Sequence, residues 1–148
     1  MKHNNSDIPY SAKFHDNLIT YSDEKMPQVE DVIELYNNAG LERPTMDKSR
    51  IKTMLHHSNL IVTAWDGDLL VGLSRSLTDW VWICYLADLA VRTGYKNSGI
   101  GKQLISLTKG KVSDQSTLLL ISVPTAMEYY PKMGFEKLSC GFVCWRNK

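Results

Sequence analysis

The sequence predicts a single α/β (α+β) domain built on a mixed, largely antiparallel sheet. Two β-prone apolar runs flank the hairpin turn Asp66-Gly67-Asp68, and a strand-like run, a glycine-containing turn and an amphipathic segment follow one another within residues 80–111. The first pattern indicates antiparallel strands, and the second indicates a strand–helix unit that leads to a further strand. With 148 residues, 43% of them hydrophobic, the chain is large enough to bury its own core.

Residues 1–16 are polar and predict a loose N-terminal arm, which leaves residues 17–148 as one folded domain. The first residues lack the apolar core of a secretory signal, and no apolar run approaches the roughly 18 residues of a membrane span. Cys84, Cys140 and Cys144 are too few for a disulfide framework, and no neighbouring His or Cys completes a metal set. We therefore expect a cytoplasmic protein with reduced thiols and no metal.

The net charge of +1 predicts no general attraction to nucleic acid or membrane.

The first half of the domain predicts one strand and two helices. Residues 18–21 are β-prone, and residues 29–36 carry an apolar helical face that ends with turn chemistry at Gly40. Asp47 is a helix-capping residue, and the apolar positions within residues 51–55 predict a second helix after it.

The second half predicts a sheet that continues after the hairpin. The almost wholly apolar residues 117–123 suit the interior of a sheet. Helices are expected to begin near Ile100 and Pro124, and strands are expected at residues 60–65, 69–75, 80–91, 117–123, 135–138 and 141–145. The predicted order is therefore β-α-α-β-β-β-α-β-α-β-β.

The turn between residues 92 and 101 has the features of an anion site. The first N–H groups of a helix have no carbonyl partner within it, and the helix dipole adds partial positive charge there. Gly99 and Gly101 carry no Cβ, so a phosphate can approach the backbone closely, and Lys96 and Lys102 place cations beside the turn. We predict that this turn holds the pyrophosphate of a cofactor.

Two familiar phosphate loops do not fit this turn. A dinucleotide fingerprint needs a third glycine where Leu104 stands, and a P-loop needs Ser or Thr where Gln103 stands. The run Lys96-Asn97-Ser98-Gly99-Ile100-Gly101 instead resembles the acetyl-CoA-binding segment of the GNAT superfamily of N-acetyltransferases, whose pattern is Gln/Arg-x-x-Gly-x-Gly/Ala. Lys96 departs from that pattern, since it stands where Gln or Arg is usual. The lysine keeps a positive charge but lacks the planar fork of Arg.

A second segment carries the same resemblance. The run Ala126-Met127-Glu128-Tyr129-Tyr130-Pro131-Lys132-Met133-Gly134-Phe135 is similar to the family's Ala-x-x-Phe-Tyr-x-x-x-Gly-Phe. The resemblance covers residues 18–145 and implies the GNAT fold, a mixed sheet with helices on both faces in the element order given above. It also implies acetyl-CoA as the co-substrate.

The resemblance further implies which residues hold acetyl-CoA. Main-chain groups of Leu89, Ala90 and Val91 would bind the pantetheine amides, and the N–H of Leu89 would also polarise the acetyl carbonyl. The pyrophosphate would lie on the turn beside Lys96, against the N–H groups of Asn97, Ser98, Gly99, Ile100, Gly101 and Lys102. In the family an Asn shortly before Ala126 often contacts the cofactor, and here Thr125 or Ser122 would have to replace it in part.

Two side chains are candidates for catalysis. Tyr130 aligns with the family's tyrosine near the cofactor sulfur, and its hydroxyl would protonate the departing thiolate; a purely packing role is the alternative. A Tyr pKa of about 10 keeps such an acid protonated at neutral pH. We expect Tyr129 to pack. Asp88, on the central strand, is the candidate base for the acceptor amine, with a structural hydrogen-bonding role as the alternative.

We therefore expect an N-acetyltransferase that moves the acetyl group of acetyl-CoA to a primary amine of a small molecule. Direct attack in a ternary complex is expected, since no cysteine stands in a recognisable nucleophile arrangement. Two alternatives stay open: a catalytically silent acyl-CoA sensor on the same fold, and an acetyltransferase that modifies protein N-termini or lysines. The aromatic content also allows a homodimer.

Overall fold

The computed structural model describes residues 13–14 and 17–147, which form one sheet flanked by helices. The helices of this part of the chain are α1 (Val29–Ala39), α2 (Lys48–His56) and α3 (Ile100–Lys111). Its strands are β1 (Lys13–Phe14), β2 (Asn17–Ser22), β3 (Leu60–Asp66), β4 (Leu69–Thr78), β5 (Ile83–Val91) and β6 (Thr117–Leu119). They lie in the sheet in chain order, and every neighbouring pair is antiparallel except β5 and β6, which are parallel. The predicted fold class is confirmed.

Two apolar layers cover the two faces of the sheet. On one face, Ile100 and Leu104 of α3 are fully buried in a cluster with side chains of β3 and β4. On the other face, Tyr36 of α1 and Ile51 of α2 are fully buried in a second cluster. Because helices cover both faces, β3 and β4 are buried along almost their whole length.

The predicted end of α1 and the predicted start of α2 are confirmed. Gly40 ends α1 in the left-handed conformation, at a φ of 72°, and its N–H donates to the carbonyl of Asn37. The carboxylate of Asp47 accepts from the backbone N–H of Arg50 at 2.9 Å, which satisfies a free donor at the start of α2.

Part of the predicted N-terminal arm is described. Its residues 13–14 form β1, which pairs with residues 17–18 at the start of β2. Residues 1–12 and 15–16 of that arm lie outside the described residues.

The central strand begins later than predicted. It starts at Ile83 rather than at residue 80, because the carboxylate of Asp79 accepts from the N–H groups of Val81, Trp82 and Ile83 at 2.8–3.1 Å. A side chain that bonds neighbouring backbone donors competes with a strand ladder and favours a turn. Trp80 adopts a left-handed φ of 74° within that turn.

The C-terminal part of the predicted element order is wrong. The expected helix after Pro124 is two short 3-10 turns, Pro124–Ala126 and Tyr130–Met133. Pro131 has no N–H to donate and disfavours helical geometry in the residue before it, so an α-helix cannot run through this segment. Gly134 does end the segment as predicted, at a φ of 84°.

The predicted hairpin at residues 135–138 and 141–145 is also absent from the described structure, and β6 ends at Leu119 rather than at residue 123. A two-stranded hairpin is marginal by itself and needs a sheet edge to extend. Since β6 has only three residues, it offers the hairpin little edge on which to pair.

We expect Gly72→Ala to lower the free energy of unfolding by about 1–3 kcal/mol, because the added carbon overpacks the interface between β4 and α3. An alanine Cβ there would lie 2.9 Å from Ile100 Cγ2 and 3.0 Å from Leu104 Cδ1. Denaturant unfolding provides the measurement.

The matched control is Gly110→Ala, at an exposed position of α3 where the new Cβ meets no atom within 4 Å. Alanine should stabilise this helix position by about 0.5–1 kcal/mol. A Gly72→Ala protein as stable as the wild type would contradict the close approach of α3 to the sheet.

Candidate active site

The site begins where two parallel strands separate. The pairing of β5 with β6 ends at Tyr85 and Leu119, whereas β5 continues to Val91. Residues 86 and 88–91 therefore pair with β4 on one side, and residues 86–91 have no β6 partner on the other. A cavity of about 720 Å³ lies against the end of this strand and is lined there by Leu89, Ala90 and Val91. The main chain on the open side of β5 is available to an extended ligand.

The N-terminus of α3 forms a second wall of the cavity. Gly99 is the residue before the helix, at a left-handed φ of 86°, and no side chain caps the helix start. The N–H of Gln103 bonds to the carbonyl of Gly99 at 2.9 Å, so the N–H groups before it have no carbonyl partner within the helix. Lys96 and Lys102 line the same cavity, and positive charge is therefore concentrated at this end.

The turn before α3 is attached to the end of α1. The N–H of Thr93 donates to Asn38 Oδ1 at 2.8 Å, and its hydroxyl donates to the carbonyl of Asn38 at 2.7 Å. Lys96 Nζ donates to the carbonyl of Ala39 at 3.3 Å. These bonds bring the end of α1 to the cavity, where Ala39, Gly40 and Leu41 form part of its lining. Sequence reasoning did not identify these three residues, because their proximity depends on contacts more than 50 residues apart in the chain.

Most of the residues predicted to hold the co-substrate line this one cavity. Ser98 does not, since its hydroxyl donates to the carbonyl of Tyr95 within the turn. Thr125 lines the cavity, whereas the hydroxyl of Ser122 donates to the carbonyl of Val123. The predicted residues that line it are Leu89, Ala90, Val91, Lys96, Asn97, Gly99, Ile100, Gly101, Lys102 and Tyr130.

Two adjacent tyrosines complete the lining. The rings of Tyr129 and Tyr130 meet edge to face, 5.3 Å apart, and Tyr130 meets Phe135 in the same way at 5.6 Å. Burial raises the pKa of Tyr130 above its ordinary value, and the neighbouring Tyr129 adds to the rise. Burial also raises the pKa of Tyr129. Both phenols are therefore protonated donors at neutral pH.

Asp88 does not line the cavity. Its side chain is fully buried, and both carboxylate oxygens are bonded. Arg43 Nε donates to Oδ1 at 2.5 Å, while Arg75 Nε and the Tyr36 hydroxyl donate to Oδ2 at 2.5 and 2.7 Å. Arg75 also donates to Ser58 Oγ at 2.9 Å.

These partners determine the charge of the Asp88 carboxyl. Burial alone raises its pKa, but the hydrogen bonds and charges of Arg75 and Arg43 outweigh burial, so that the pKa of Asp88 lies below its ordinary value. Burial beside the Asp88 carboxylate raises the pKa of Tyr36, which therefore remains a donor. A low pKa and two occupied oxygens favour the structural role for Asp88 over that of a base.

The network also positions the loop between α1 and α2. Arg43 belongs to this loop, and besides Asp88 it donates to the carbonyl of Ala87 at 3.0 Å. The loop is thereby attached to β5 immediately before the strand residues that line the cavity.

Within the described residues, no three His, Cys, Asp or Glu side chains converge as a metal site would require. None of the helices that the structure describes is long and apolar enough to cross a bilayer.

Comparison with known proteins agrees with this geometry. A family model described as an acetyltransferase (GNAT) domain matches residues 17–143, so the chain belongs to the GNAT family of acetyltransferases. The structure is similar to that of a GNAT-family acetyltransferase from Streptococcus pneumoniae, with 30% identity, 88% of this chain and 98% of the other covered, and a TM-score of 0.68.

Two further structures share the fold. A protein of unknown function from Staphylococcus aureus has 22% identity, with 86% of this chain and 98% of the other covered and a TM-score of 0.72. An aminoglycoside acetyltransferase from an uncultured soil sample, solved with sisomicin, has 16% identity, with 86% and 96% covered and a TM-score of 0.61. No curated protein matches the sequence significantly.

We expect Asp88→Asn to lower the free energy of unfolding by about 3–5 kcal/mol at pH 7, because Arg43 and Arg75 lose their buried counter-charge. The folded pKa of Asp88 is depressed, so its stabilising contribution is present above the unfolded pKa of about 3.9 and is lost as the pH falls through the lower folded value. The difference in unfolding free energy between wild type and variant should thus be constant from about pH 5 to 8 and should decrease below about pH 4.

Denaturant unfolding across pH gives this measurement. Asp114→Asn, at an exposed carboxylate, is the control and should change stability by less than about 0.5 kcal/mol. If the two variants were equally stable, the buried network would not stabilise the fold.

Proposed function

We propose that the protein transfers the acetyl group of acetyl-CoA to a primary amine of a small molecule, by direct attack in a ternary complex. The observation that carries the proposal is the continuity of one cavity. It joins the open side of β5 at Leu89, Ala90 and Val91 to the uncapped start of α3. The open side of β5 suits an extended amide chain, and the uncapped start of α3 suits a diphosphate. Proteins of the GNAT family normally use acetyl-CoA, which contains both groups.

The residues present fit this co-substrate. Main-chain groups of Leu89, Ala90 and Val91 would hold the pantetheine arm, and the N–H of Leu89 would polarise the carbonyl that is attacked. The free N–H groups at the start of α3 would hold the diphosphate, with Lys96 and Lys102 balancing its charge. Backbone donors serve both tasks, so side chains matter less here than the absence of a Cβ at the glycines.

Tyr130 is proposed as the general acid for the leaving thiolate. It lines the cavity, and its raised pKa keeps the hydroxyl protonated at neutral pH, as a proton donor to the leaving sulfur must be. The edge-to-face contacts with Tyr129 and Phe135 fix the plane of its ring, which restricts where the hydroxyl points.

The acceptor proton is proposed to leave to solvent. The described residues that line the cavity include no carboxylate and no imidazole, and Asp88 is held by two arginines. An amine that reacts in its free-base form needs no enzyme base. The pH profile of kcat/KM for Asp88→Asn should therefore keep its wild-type shape, and loss of the acidic limb in the variant would restore Asp88 as the base.

We expect thiol release from acetyl-CoA when the protein meets an amine that it accepts. A panel of polyamines, aminoglycosides, amino acids and peptides would separate small-molecule acceptors from protein-like ones, and a reaction without amine corrects for hydrolysis. Acetyl-CoA alone should raise the melting temperature, since a ligand at a hundred times its Kd adds about 2.7 kcal/mol.

The outcomes of this panel distinguish the alternatives. Stabilisation by acetyl-CoA without thiol release for any amine would support a silent acyl-CoA sensor. Release with peptides alone would support protein acetylation. If acetyl-CoA neither stabilised the protein nor lost its acetyl group, the proposed function would be wrong.

We expect Tyr130→Phe to lower kcat by about 10²-fold or more, because the thiolate would leave without its proton donor. The KM for acetyl-CoA should stay within about threefold, since the ring and its packing are unchanged. Steady-state kinetics with an accepted amine provide both constants, and an unchanged kcat would remove Tyr130 from the mechanism.

A further inference from the structure

Tyr129 occupies an unexpected position for a packing aromatic. Its hydroxyl oxygen lies 2.6 Å from the place where a Cβ on Gly101 would stand, and the ring carbon that bears the hydroxyl lies at 3.6 Å. The hydroxyl can lie there only because Gly101 has no side chain. A phenylalanine would fill the same ring volume without needing that space, so packing alone does not account for the hydroxyl.

This position adjoins the free N–H groups of α3. The Cα–Cβ bonds of a helix tilt toward its N-terminus, so the space beside Gly101 opens toward the donors of the first turn. Those donors have no side-chain cap, and Lys102 lines the cavity beside them. A diphosphate held by this turn would therefore lie next to the Tyr129 hydroxyl.

The hydroxyl is also free to act as a donor. Within the described part of the chain it makes no hydrogen bond, although the N–H of Tyr129 donates to the carbonyl of Ala126 at 3.0 Å and fixes the backbone. The edge-to-face contact with Tyr130 restricts the ring. Burial raises the pKa of Tyr129, so the phenol keeps its proton beside an anion.

We infer that Tyr129 is a specificity-determining residue for the diphosphate of the co-substrate, and that its hydroxyl donates a hydrogen bond to a phosphate oxygen held by α3. The inference rests on the proposed function and extends it. Tyr129 and Tyr130 then have separate tasks, since one hydroxyl selects a phosphorylated thioester and the other serves the leaving sulfur.

The test compares two thioesters in the Tyr129→Phe protein. Acetyl-CoA contains the diphosphate, whereas acetyl-pantetheine has the same reacting end and no phosphate. We expect Tyr129→Phe to raise the KM for acetyl-CoA about tenfold or more, the usual effect of losing a hydrogen bond to a charged group, while kcat stays within about twofold. With acetyl-pantetheine, kcat/KM should be the same in variant and wild type.

Calorimetric titration with CoA itself supplies a readout that does not depend on turnover. CoA should bind the variant about tenfold more weakly, with no change in the affinity for pantetheine. Equal or tighter binding of CoA by Tyr129→Phe would overturn the inference, and so would an equal loss of affinity for both ligands.

A double-mutant cycle with Gly101 tests the geometry. In the wild-type background, the methyl of Gly101→Ala displaces the Tyr129 hydroxyl, so this substitution should remove the contribution of Tyr129 as well as crowd the phosphate. In the Tyr129→Phe background that contribution is already lost, and Gly101→Ala should cost less CoA affinity. Strictly additive losses would show that the two positions do not act on the same phosphate.

Failure of this inference is distinguishable from failure of the proposed function. A wild-type protein that binds no CoA would refute both. Wild-type binding and turnover together with an unaffected Tyr129→Phe protein would refute the role of Tyr129 alone.

Discussion

One buried carboxylate holds together the elements on which the site depends. Asp88 on β5 is bonded by Tyr36 from α1, by Arg43 from the following loop and by Arg75 from β4. Charges taken out of water are tolerated only with such partners, and two arginines on one carboxylate satisfy both of its oxygens. These bonds fix the position of β5 relative to α1 and the loop that follows it. The cavity lies immediately beyond this point of attachment.

The two ends of the cavity follow from different physical causes. At β5 the main chain is open because β6 pairs over only three residues. At α3 it is open because Gly99 begins the helix without a capping side chain, and Gly72 on β4 lets α3 approach the sheet closely. Both walls offer backbone donors, whose directions are fixed by the fold. Backbone donors of this kind suit amides and phosphates without specific side chains, so a short glycine pattern can predict such a site.

Local patterns predicted much of this fold and some of it wrongly. The alternation and turn residues around Gly67, the capping residue Asp47 and the terminating Gly40 were sufficient to place the early elements, because each acts within a few residues. The C-terminal prediction failed for a reason also present in the sequence. Pro131 disfavours an α-helix in that segment, which forms short 3-10 turns instead.

The sequence by itself determined the class of site, because an apolar strand, a glycine turn and an amphipathic helix in succession leave the helix N–H groups free whatever surrounds them. A local motif also predicted Tyr130, which lines the cavity. Only the tertiary structure decided that Asp88 is bonded by two arginines, that the end of α1 joins the cavity, and that the Tyr129 hydroxyl lies against Gly101. These features depend on contacts between residues from 13 to 57 positions apart, and no local pattern in the chain records which distant side chains will meet.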